Sequence, residues 1–129
     1  MKLSNIIYWI ARVLAALILG QTLFFKFTGA EESVALFTKL GAEPWGRIGS
    51  GVMELTACIL LLINVTAKWG GLLSAGVMAG AIASHLFVIG IESQGDGGYL
   101  FMLAWIVMIC SLYVIWVNKS DLLGLLKKN

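Results

Sequence analysis

The stretch "GVMELTACILLLIN", Gly51 to Asn64, decides the fold: it is an apolar run with a single carboxylate, Glu54, set inside it. Polar and apolar residues do not alternate along it, and with its flanks it is about twice as long as a strand of a membrane barrel. Extended to Gly46 and Val65, it reaches the ~20 residues that a helix needs to cross ~30 Å of hydrocarbon. Val52, Leu55, Ile59 to Ile63 and Val65 together favour insertion by roughly −4 kcal/mol. An ionisable residue near the centre opposes insertion by ~2.5–3.5 kcal/mol, so the segment inserts with little surplus and its acid needs a reason.

The rest of the chain repeats the pattern. Of 129 residues, 60% are hydrophobic and 12% charged, with a mean hydropathy of +0.93, far from the composition of a soluble domain. Four apolar runs are expected as spans, over residues 5–26, 46–65, 69–91 and 98–117. The expectation is therefore an all-α integral membrane four-helix bundle, residues 1–129 forming a single transmembrane domain. Lys2 before the first run and "TGA" at Thr28 to Ala30 imitate a secretory signal, but Arg12 within the run and Lys26 at its end oppose that reading. The first run is expected as a retained helix. A net charge of +2 spread over loops and tail leaves no nucleic-acid footprint.

With four spans, both termini and the loop from Asn64 to Lys68 fall on one side. That side carries Lys2, Lys68, Lys119, Lys127 and Lys128 against Asp121; the other carries Lys26, Lys39 and Arg47 against Glu31, Glu32, Glu43, Glu92 and Asp96. Lys/Arg excess marks the cytoplasmic face, so cytoplasmic termini are expected. Trp9, Trp69 and Trp116 read as inner interfacial anchors and Trp45 and Tyr99 as outer ones, with Trp105 deeper. In the outer loop, Glu31 and Glu32 precede Val34, Phe37 and Leu40 at helical spacing, which predicts a short amphipathic helix at the outer mouth. The tail "NKSDLLGLLKKN" reads as a second surface segment.

Among the polar residues inside the spans, Arg12, Gln21, Lys26, Glu54 and His85 are the candidates for a polar core or ligand site. At 100° per residue Arg12, Leu19 and Lys26 share a face, while Gln21 points away from it. Gly46, Ser50, Glu54 and Cys58 recur at i, i+4, so Glu54 is expected to face protein. Counting 1.5 Å per residue from the outer boundary puts Glu54 ~12 Å deep, His85 ~9 Å, Gln21 ~7 Å and Arg12 ~20 Å. Because Cβ tilts toward a helix's own N-terminus, Lys26 and His85 converge on Glu54 whereas Arg12 tilts away. Lys26 and His85 are thus the expected first partners of Glu54 and Arg12 the lesser one. Bland readings compete: both cations as snorkelling side chains, His85 as a core histidine, Glu54 as half of a structural ion pair. Cys58 and Cys110 form no CxxC and read as small apolar residues. One histidine without a thiolate pair offers no metal site. Gly71, Ala75, Ala79 and Ala83, with a GxxxG at Gly76 and Gly80, fit either helix packing within the bundle or a homo-oligomer.

Arg12 and Lys26 two heptads apart, the link "TGAEESVALFTKLGAEPWGRIG", the opening "GVMELTACILLL" around Glu54 and the third run "GGLLSAGVMAGAIASHLFVIGIE" together resemble the DoxX-like family of small four-helix membrane proteins, over about Tyr8 to Val117. The chain departs from the family's usual pattern at "QTLFFKF", where a glycine commonly precedes the lysine. The resemblance implies a bacterial inner-membrane protein tied to quinol oxidation or to redox complexes handling thiol and oxidative stress, or, from the wider superfamily, an assembly chaperone.

Joined to the polar cluster, this gives three functional expectations. The first is a pocket for a small lipophilic ligand, quinone foremost, in support of a membrane redox complex. Lys26 or His85 would donate to a carbonyl oxygen while Glu54 orients them or accepts a proton. No prosthetic centre is firmly implied, so an oxidoreductase-associated subunit fits better than an independent enzyme. The second is a non-catalytic assembly or interaction subunit for another membrane protein, with the charges fixing helix register. The third is a proton or small-solute pathway through Glu54 and His85.

Overall fold

Leu3–Thr28 form one helix, α1, rich in alanine and leucine, residues that lose little on entering a helix. It stops at Gly29, whose φ of 69° is left-handed. Ala30 N–H donates back to the Phe25 carbonyl at 3.0 Å, closing the last turn. The computed structural model describes residues 2–92 and 95–127; Lys128, counted above among the terminal charges, lies outside them. After the glycine turn comes α2, Glu31–Lys39, with Glu31 and Glu32 in its first turn and Lys39 in its last, placed as the helix dipole favours. Then follow α3 (Trp45–Leu62), α4 (Ala67–Ser84), one π-helical turn (His85–Ile89), α5 (Tyr99–Val117) and α6 (Lys119–Lys127).

Four segments are long and apolar enough to cross a membrane: Leu3–Thr28, Trp45–Leu62, Asn64–Ile89 and Tyr99–Val117. They form a ring in which α1 and α4 each pack against α3 and α5. Leu19, Leu61, Val107 and Val114 fill its centre. Leu17, Phe87 and Ile109 are among the large apolar side chains left exposed, which suits a surface bathed in lipid rather than water. The all-α, four-helix membrane bundle expected from the sequence is what the chain forms.

Helix contact in lipid depends on close approach of backbones, and two glycines carry it. A Cβ on Gly70 would lie 2.6 Å from the Leu61 amide nitrogen, and one on Gly71 would lie 2.9 Å from Val114 Cγ1. Gly70 thereby joins α4 to α3, and Gly71 joins α4 to α5. The small-residue row expected in this helix is corrected: Gly71 packs, but Ala79 and Ala83 are exposed, and Gly76 and Gly80 have no neighbour within 4 Å of a built Cβ. The row expected on α3 also shifts, with Gly51, Glu54, Ala57 and Leu61 buried while Ser50 and Cys58 sit at its edges. The cause is geometric, since a strict i+4 series drifts about 40° per step around a helix.

Candidate functional site

Glu54 is only 3% exposed because α3 turns its buried face toward α1. Lys26 Nζ lies 2.5 Å from Oε1, and Thr22 Oγ1 lies 3.2 Å from Oε2. The same hydroxyl lies 2.8 Å from the Leu19 carbonyl. A hydroxyl has one hydrogen to give, so Thr22 can donate to an ionised Glu54, or donate to Leu19 and accept from a protonated one. Thr22 was not singled out in the sequence, although it stands four residues before Lys26 on the same face. A screen for ionisable groups passes over a threonine.

Lys26 sits in the last turn of α1, where a cation suits the dipole. Its ammonium lies 5.7 Å from the centre of the Phe37 ring on α2, within cation–π range. Its backbone carbonyl accepts from Arg47 Nη1 at 2.5 Å, and Arg47 is itself paired with Glu43 at 2.9 Å. The end of α1 is thus tied to the start of α3 directly beside the buried pair.

His85 is 2% exposed and opens the π-helical turn. Turns of this kind place an extra residue per turn and frequently occur at functional sites. Gly90 N–H donates to the His85 carbonyl at 2.8 Å, and the imidazole Nδ1 lies 3.0 Å from the Gly90 carbonyl. The expected hydrogen bond from His85 to Glu54 is therefore not made, because the ring is held by the backbone that closes its own turn. With Nδ1–H given to Gly90, Nε2 is an acceptor, and it has no hydrogen-bond partner among the described residues.

The three groups nevertheless border one space. A cavity of about 410 Å³ is lined by Thr22, Lys26, Glu54 and His85, by Leu36 and Phe37 of α2 and by Leu103 and Val107 of α5. Its volume lies within the ~300–1,000 Å³ usual for small-molecule sites, as does its make-up of apolar walls with few polar groups. Lys39 Nζ donates to the Ile89 carbonyl at 3.2 Å, holding α2 against the π-helical turn as a roof.

Arg12 and Gln21 stand apart. Arg12 is 1% exposed; its Nε donates to the Leu61 carbonyl at 2.7 Å and its Nη1 to Asn64 Oδ1 at 3.0 Å. The guanidinium stacks 3.8 Å from the centre of the Trp9 ring, leaving Nη2 without a hydrogen bond. It neither snorkels nor reaches Glu54; it caps the far end of α3, whose last carbonyls have no partner within the helix. Trp9, expected as an interfacial anchor, supplies the face on which it rests. Gln21 is exposed and lines a second cavity beside Glu32 and Tyr99. Cys110 is buried and Cys58 Sγ lies 3.4 Å from the Ala16 carbonyl; both thiols are free. Among the described residues no three His, Cys, Asp or Glu side chains gather closely enough to hold a metal ion.

The model of the DoxX-like family matches residues 10–112, a region that contains Arg12, Lys26, Glu54 and His85. The chain belongs to the DoxX-like family. It is a multi-pass membrane protein of that family, and its four apolar helices contact the bilayer. No curated protein and no solved structure matches the chain.

Proposed function

We propose that this DoxX-like protein binds a small lipophilic ligand carrying hydrogen-bonding oxygens, a quinone foremost, and supports a membrane redox complex as an accessory subunit. The observation that carries the reading is that Lys26, Thr22, Glu54 and His85 all line one mostly apolar cavity. A few polar groups of this kind fix the head of a ligand while the remaining surface accommodates an apolar ring. Lys26 donates to a carbonyl oxygen without leaving Glu54, since an ammonium has three hydrogens. Glu54 aims that ammonium, and the Thr22 hydroxyl holds the second carboxyl oxygen of Glu54 in place. His85 Nε2 accepts from a hydroxyl on the reduced form of the ligand. We place the protein in a bacterial inner membrane with both termini cytoplasmic, on the Lys/Arg excess of the terminal side.

The test is solvent extraction and difference spectroscopy of the purified protein, followed by titration with a short-chain quinone. Wild type should carry or take up about one quinone per chain, and Glu54→Gln/Lys26→Met should lose that uptake while remaining folded. A folded wild type that neither carries nor titrates quinone overturns the assignment.

A further inference from the structure

The cavity lies among α1, α3, α4 and α5, with α2 across its outer end. Toward α1 it is lined by Ile18, Leu19, Thr22 and Lys26. The α5 wall is apolar and buried at Leu103 and Val107, and α2 lies across the top. The contact between α3 and α4 behaves differently along its length. At the loop end the two backbones meet through Gly70 and Leu61. Counting from that contact at 1.5 Å per residue in opposite directions puts Val77 level with Glu54 and Gly80 level with Gly51. At this level Gly76 and Gly80 line the cavity yet have open space where their side chains would be. Met53, facing them from α3, lines the same cavity and is 47% exposed. The two helices therefore diverge, and the gap between them gives onto the lipid at the depth of the buried ion pair. Within the cavity His85, nine-tenths and more buried, leaves Nε2 without a protein partner.

We infer that the ligand enters sideways from the bilayer between α3 and α4, and that it is an amphiphile whose apolar chain lies along Gly76 and Gly80 while its head reaches Lys26, Glu54 and His85. α2, with its Lys39 tether to the π-helical turn, lies across the outer end of the cavity. A chain-bearing ligand can leave its tail in the lipid and bring only its head inside. The glycines, which do not pack the bundle, serve as the floor of that channel. This rests on the function proposed above, sharpening its ligand class to a head group on a long apolar chain.

The experiment uses the full chain in nanodiscs of phosphatidylethanolamine and phosphatidylglycerol, with two probes: a quinone bearing several isoprene units and the same ring without a tail. Gly76→Leu and Gly80→Leu fill the channel floor, Met53→Trp narrows it from the α3 side, and Gly20→Leu, at an open position outside the cavity, is the control. Wild type and Gly20→Leu should bind both probes, the tailed one more tightly. Each channel variant should weaken the tailed probe by at least about tenfold, a loss within reach of a filled apolar pocket, while changing the tail-free probe by less than about threefold. Equal weakening of both probes, or unchanged binding of the tailed probe in channel variants with unaltered thermal unfolding, overturns the lateral route and leaves the head-group site standing. Failure of wild type to bind either probe overturns both.

Discussion

Glu54 and Lys26 each satisfy the other's charge in a place where neither would be stable alone. Removing one partner of a buried pair costs about 3–5 kcal/mol, mostly because the survivor is left unpaired. Lys26 retains some exposure, 16% of its side chain, so Glu54→Gln should fall near the lower end, about 3 kcal/mol. The double variant Glu54→Gln/Lys26→Met should recover most of that loss, read as the midpoint of thermal unfolding in detergent. A double variant no more stable than the single one would mean that the pair contributes attraction well beyond its own desolvation. Arg12 makes a different demand, because its planar fork reaches two acceptors at once, the Leu61 carbonyl and Asn64. A lysine ammonium lacks that fork, so Arg12→Lys should destabilise by about 1.5–3 kcal/mol in the same assay. Cβ tilt and depth, which follow from helix geometry alone, made Lys26 and His85 legible as candidate partners of Glu54 but did not choose Lys26 between them. The His85 to Gly90 contact was not legible, since it depends on a π-helical turn that no local spacing announces. Asn64, the first residue of the terminal-side loop and the partner of Arg12, was not singled out either, because its role depends on where Arg12 reaches across to the end of α3.

At the scale of helices, glycines of identical composition do opposite things. Gly70→Ala would drive a methyl group against the backbone of α3 at 2.6 Å, and overpacking of this kind costs about 1–3 kcal/mol or more. Gly20→Ala, with nothing within 4 Å, should be neutral or stabilising by up to about 1 kcal/mol, the helix preference for alanine. Thermal unfolding of the two variants side by side checks the contrast; equal effects would show that α3 and α4 do not meet where described. The spans and α2 were readable from hydropathy and from acids preceding a helical apolar row. The meaning of "GVMAG" was not, because a GxxxG has the same spacing whether it packs on a neighbour or borders a gap. Only the divergence of α3 and α4, a property of two helices together, tells these apart.

For the molecule as a whole, four spans put α2 and α6 on opposite faces of the membrane. With Cys58 and Cys110 replaced by alanine, single cysteines introduced at Thr38 and Ser120, both exposed, should react with a membrane-impermeant maleimide from opposite sides. Thr38 should label in intact cells and Ser120 only after permeabilisation; the reverse pattern would invert the proposed orientation, and labelling from one side would contradict four crossings. Sequence charge supports that orientation only by a small excess of Lys and Arg on the terminal side, so labelling carries more weight than the count. The interior between the two polar clusters has its own consequence. Leu19, Ala57, Leu61 and Val107 are fully buried between the Glu54 pair and Arg12. The hydroxyls of Ser74 and Ser111 are bonded to each other at 2.5 Å, and Ser74 also to the Gly71 carbonyl at 3.2 Å. Among the described residues no chain of hydrogen-bonded side chains links Glu54 to Arg12 across that layer. On the function proposed above, that apolar layer would act as an insulator beneath a socket, letting a ligand exchange charge at the Glu54 end without discharging the gradient that the membrane sustains.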